Sequence, residues 1–146
     1  MTTDPRETDT VHLRCPAESR HLSLARAVAA NIAACGDLDI EAVDDMKMAM
    51  DEACSSLIAR ATAGSPLECL FHTAGTRINV RLRVRAAAAD PLDQSCFAWH
   101  VVSTLTDSAG TWVVPTPSGD GYYVYVDLSK ARAATSHQPA HDPMSN

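Results

Sequence analysis

Apolar residues recur at steps of mostly three or four through Ile40, Val43, Met46, Met50, Cys54, Leu57, Ile58 and Ala61. This winds one apolar stripe along a helix of about six or seven turns within residues 37–64. Asp39 is placed to cap its first turn, and Glu41, Asp44 and Asp45 lie where the helix dipole favours anions. Gly64 followed by Pro66 is a stop signal. The acid pair Asp51 and Glu52 interrupts the middle of the stripe. Glu52 falls with Ser55, Ser56 and Ala59 on a flank of the apolar face, where a helix borders a pocket, although most helix carboxylates simply face water.

The rest of the chain supplies a layer for that stripe to cover. Val11, Leu13 and Cys15 alternate with His12 and Arg14 as a first strand. A helix follows, with Leu22, Leu24, Ala25, Val28, Ala29, Ile32 and Ala33 inward, ending near Gly36. Strand-like runs over residues 67–73 and 77–88 flank Ala74 and Gly75 as a hairpin. In the second run Ile78, Val80, Leu82 and Val84 oppose Arg77, Asn79, Arg81, Arg83 and Arg85, so one sheet face is wet. Phe97, Val101, Val102 and Leu105 mark a third helix, and residues 111–114 and 121–128 a closing hairpin around a Pro- and Gly-rich turn. This order predicts an α+β fold, a two-layer sandwich with helices packed on one face of a mixed, mostly antiparallel sheet. Residues 1–10 are expected to be a flexible N-terminus, 11–128 the domain, and 129–146, which hold few large apolar residues, a disordered tail.

Composition narrows the class of function. With 146 residues, 46% hydrophobic and 21% charged, one core is the expectation. Neither a membrane span nor a signal peptide is visible, so a cytoplasmic protein is expected. A net charge of −6 argues against a surface that neutralises phosphates. The arginine stripe of Arg81, Arg83 and Arg85 has no aromatic residue interleaved with it, so a direct nucleic-acid role is not expected. The five cysteines are widely spaced with no paired motif, and read as small core residues.

The segment of residues 46–61, MKMAMDEACSSLIARA, resembles the acidic helix of the histidine-kinase-like ATPase superfamily, in particular the small anti-sigma factors of the RsbW and SpoIIAB type. There the helix reads approximately D-E-A-x-x-N-x-x-x-H-A, the Glu serving as general base and the Asn holding magnesium. The resemblance places Glu52 on the general base, Ser56 on the metal ligand and Arg60 where His often stands. It covers roughly residues 11–128 and implies the Bergerat, or histidine-kinase-like ATPase, fold.

Elsewhere the nucleotide motifs depart from that pattern. For D-x-G-x-G-F-D-P the chain has V-R-A-A-A-A-D-P: Val84 stands for the adenine-reading Asp, Ala86 and Ala88 for both glycines, while Asp90 and Pro91 are kept. For G-L-G-L the chain has C-F-A-W, with Cys96 and Ala98 at the glycine positions. Added methyl groups block backbone approach to phosphate, and a Ser hydroxyl is a poorer magnesium ligand than an amide carbonyl. ATP and magnesium are therefore expected to bind weakly or not at all. The resemblance implies an anti-sigma factor that inhibits an alternative RNA polymerase sigma factor under the control of an STAS-type anti-anti-sigma protein, and a homodimer. The alternative is an active ATP-dependent serine kinase acting on that STAS-type protein through Glu52.

Overall fold

The computed structural model describes residues 9–132. The stripe of apolar residues forms α2, Ile40–Arg60, about 30 Å long. It starts where Asp39 is extended, and the Val43 N–H donates to the Asp39 carbonyl at 2.9 Å. Asp39 makes no side-chain cap bond, contrary to the sequence expectation. The helix stops at Arg60, before the predicted glycine stop, because Ala61 turns extended and the Thr62 N–H donates to the Arg85 carbonyl at 2.8 Å. Gly64, at φ +80°, then turns the chain into the sheet.

Five strands follow the order β1-β2-β3-β5-β4: β1 (Asp9–Pro16), β2 (Pro66–Ala74), β3 (Arg77–Ala86), β4 (Ser108–Pro115) and β5 (Tyr122–Ala131). All four pairings are antiparallel, so the sheet expected to be mixed and mostly antiparallel is antiparallel throughout. β1 begins at Asp9 and β5 runs to Ala131, so both ends of the domain extend past the predicted boundaries, and residues 1–8 and 133–146 lie outside the described part. No helix among the described residues is long and apolar enough to cross a membrane.

Three helices, α1 (Leu22–Cys35), α2 and α3 (Phe97–Leu105), lie on one face of the sheet. β3 alternates as its sequence predicts: Ile78, Val80, Leu82, Val84 and Ala86 are buried under α2 with Phe71, Met46, Met50 and Leu57. Ala25, Ala29 and Ala33 form a buried seam along α1, and Leu24, predicted inward, is exposed. Small residues at four-residue spacing let α1 approach α2, whose Ala42, Ala49 and Ala53 are likewise buried. Ile40 is 81% exposed and Phe97 78% exposed, so each helix buries a stripe rotated away from the residue predicted to open it.

Candidate functional site

The stop of α2 at Arg60 leaves its last two turns facing α3 across a cleft. From α2 the cleft is lined by Ala53, Ser56, Ala59 and Arg60, from α3 by Ala98, Trp99 and Val102, and from the connecting loop by Leu92, Asp93 and Cys96. These α2 positions are three, six and seven residues from the first, the spacing of one helix face. The cleft holds about 240 Å³, below the roughly 300 to 1,000 Å³ of ordinary small-ligand pockets.

Of the nine candidate residues, Ser56, Arg60, Cys96 and Ala98 meet at this cleft. Asp90 joins them through its backbone, its carbonyl accepting from Arg60 Nη1 at 2.5 Å. Glu52 is half-buried one turn before Ser56 and does not line the cleft. Its neighbour Asp51 points to α1, accepting from Arg26 Nη1 at 3.0 Å. Val84 and Ala86 are buried in the core, and Ala88 is exposed in the loop.

The loop is held by local bonds. Asp93 Oδ1 accepts from the Ser95 hydroxyl at 2.6 Å and the Ser95 N–H at 2.9 Å. These bonds, with a smaller contribution from the Arg60 charge, hold its carboxyl below the usual carboxylate range. The Cys96 thiol donates to the Asp93 carbonyl at 3.0 Å. Leu92, Asp93 and Trp99 were missed as site residues in the sequence. Trp99 was legible, because Trp99 and Val102, three apart, define the buried side of α3 better than Phe97 and Val101 do.

Cys15, Cys54 and Cys69 are buried as expected, but Cys35 is exposed and Cys96 half-buried. The Cys54 thiol is pushed well up by its hydrogen bond with Cys69 and by burial, which keeps it protonated and inert.

The opposite face of the sheet carries the arginine stripe, and here the structure adds aromatic neighbours that the sequence of β3 does not contain. Aromatic rings absent along β3 arrive from β5, because Arg83 pairs in register with Tyr125 and Arg85 with Tyr123. Arg83 lies 4.2 Å from the Tyr123 ring centroid, Arg81 lies 5.1 Å from that of Trp112, and Trp112 stacks on Tyr125 with centroids 5.0 Å apart. Carboxylates match the guanidinium groups. Asp127 accepts twice from Arg81, each at 2.9 Å, Glu68 accepts from Arg83, and Asp120 accepts from Arg85 at 2.7 Å. Arg83 also donates to the Tyr125 hydroxyl at 3.0 Å. Such compensation leaves little net positive charge for a phosphate backbone.

Comparison with known proteins agrees with this architecture. The chain is 29% identical over 127 residues to the anti-sigma-F factor RsbW of two strains of Mycobacterium tuberculosis, covering 86% of this chain and 76% of the relative. The model of the histidine kinase-like ATPase domain matches residues 15–110, which include β2, β3, α1, α2, α3 and the cleft between α2 and α3. With that match over more than half its length, the chain belongs to the histidine kinase-like ATPase domain family.

Proposed function

We propose that the protein is a cytoplasmic anti-sigma factor that binds and inhibits an alternative, stress- or sporulation-type RNA polymerase sigma factor. An STAS-type anti-anti-sigma protein controls it. The observation that carries this reading is the similarity to an anti-sigma-F factor along 86% of the chain. The test is reconstitution: the purified protein, added to RNA polymerase loaded with the sigma factor it captures, is expected to lower transcription from that factor's promoters alone. Unchanged transcription overturns the reading.

The same proposal includes weak or absent binding of ATP and magnesium. Its support is the pairing of sequence with geometry. The position that reads adenine in relatives is the buried Val84, the cleft is small, and Arg60 reaches across to Asp90. Ser56 faces the cleft with a single hydroxyl where relatives offer an amide. A lost buried hydrogen bond costs about 1 to 3 kcal/mol, so losing both the adenine contact and the metal ligand weakens binding about a hundredfold or more. Isothermal titration is expected to give a dissociation constant weaker than about 10 µM, a level that needs about 7 kcal/mol. Tighter binding overturns this part and revives phosphotransfer to the STAS-type partner, in which Glu52→Gln would then abolish phosphorylation and spare sigma-factor capture.

A homodimer belongs to this reading too. The open sheet face offers Leu70, Trp112, Tyr123 and Tyr125 among mutually neutralised charges. An aromatic, charge-balanced surface of this kind suits protein better than nucleic acid.

A further inference from the structure

The loop between β3 and α3, residues 87–96, carries one large aliphatic side chain, and that side chain is turned inward. Leu92 is 6% exposed, while Pro91 and Asp93 on either side of it face water. It lines the α2–α3 cleft beside Ala53 and Trp99. Its N–H donates to Thr111 Oγ1 on β4 at 3.2 Å, so the backbone is anchored where the side chain enters. Two residues earlier the Asp90 carbonyl takes the Arg60 bond from the end of α2. Directly after it, Asp93 ties the loop to the start of α3 through Ser95 and Cys96. The loop is thus fixed to α2, β4 and α3, around a single buried leucine that forms part of the cleft wall.

We propose that this loop is a built-in partial plug, in which Leu92 narrows the cleft as part of its wall and Arg60 latches the loop in place. This rests on the reading of the cleft as the reduced nucleotide site of the family. With Leu92 in its wall the cleft keeps only about 240 Å³, so a ligand of ordinary size enters only by displacing the loop. A ligand shifts such an equilibrium only by binding the displaced state better, and a cleft already narrowed by Leu92 gives it little to bind. Partner capture is then set by the partners and is not gated by nucleotide.

Hydrogen–deuterium exchange on the full chain tests the plug without any partner. In the wild type the Leu92 amide is expected to be protected, and Arg60→Met, which removes the latch and keeps the aliphatic stem, is expected to speed exchange across residues 87–96 by about tenfold or more while β2 and β3 are unaffected. In a Trp112→Phe background, Leu92→Ala is expected to raise acrylamide quenching of Trp99. Arg20→Met, which removes only a surface pair with Glu18, is expected to change neither. A loop that exchanges like free chain in the wild type, or that Arg60→Met leaves unchanged, overturns the proposal. Arg60 reaches an exposed carbonyl, so that variant decides the matter even where Leu92→Ala does not fold. The exchange experiment contains no sigma factor, so its outcome and that of the capture experiment are independent.

Discussion

At the scale of single residues, the alanines at 86, 88 and 98 and the cysteine at 96 are accommodated without backbone strain. Asp37, at φ +63°, is the only non-glycine with positive φ among the described residues. The residues that stand at the family's glycine positions therefore leave the fold unstrained. Burial, unlike helical period, separates the residues that matter for stability. Met50→Ala is expected to cost about 2 to 5 kcal/mol in urea denaturation, because Met50 is fully buried under the sheet. Ile40→Ala, on the same predicted stripe but exposed, is expected to stay within about 0.5 kcal/mol. Equal losses would contradict the packing described here. Asp120 gives a pH-dependent case. Its carboxyl accepts from Ser118, Thr116 and Arg85, which hold it far below the usual carboxylate range. A depressed folded-state pKa adds stability above the unfolded value, near 3.9 for Asp, that is lost as pH falls through the folded value. Asp120→Asn is expected to lower the melting temperature at pH 7, and the gap to the wild type should narrow in strong acid. A gap that stays constant with pH would remove the carboxylate from this role.

At the scale of elements, strands with strict alternation were legible and helices only in part. β3 was readable because each apolar residue alternates with Arg or Asn, and a two-residue period admits one assignment of faces. α3 was placed correctly but turned wrongly, since nine residues rich in apolar side chains allow more than one stripe and tertiary contact chose Trp99 and Val102. The alanine seam of α1 was hidden for a related reason. Small residues carry a weak hydrophobic signal, yet Ala25, Ala29 and Ala33 are what lets α1 lie close to α2. Ala29→Leu tests that seam. It is expected to destabilise the protein by about 1 to 3 kcal/mol through overpacking, whereas Ala27→Leu on the exposed side is expected to have little effect. Of the cleft's lining, Ser56, Arg60, Cys96 and Ala98 were named through the resemblance of their motifs. Leu92 was not, because a buried leucine in a loop has no periodic neighbour to reveal its direction.

At the scale of the whole molecule, among the described residues α1, α2 and α3 cover one face of the sheet and leave the other open, with rings and paired charges brought together from β3, β4 and β5. No single strand contains that pattern, and only the register creates it. If this face joins two copies, Tyr125→Asp should turn a dimer into a monomer in light scattering at micromolar concentration, and a wild type that is already monomeric would contradict the dimer. The central claim is capture of a sigma factor, and the most direct measurement is mass-spectrometric identification of what co-purifies with the full chain from its own cells. The account predicts one RNA polymerase sigma factor in near-equal amount with the chain, retained when ATP is depleted. Recovery of the chain with metabolic enzymes alone, and no sigma factor, would contradict it.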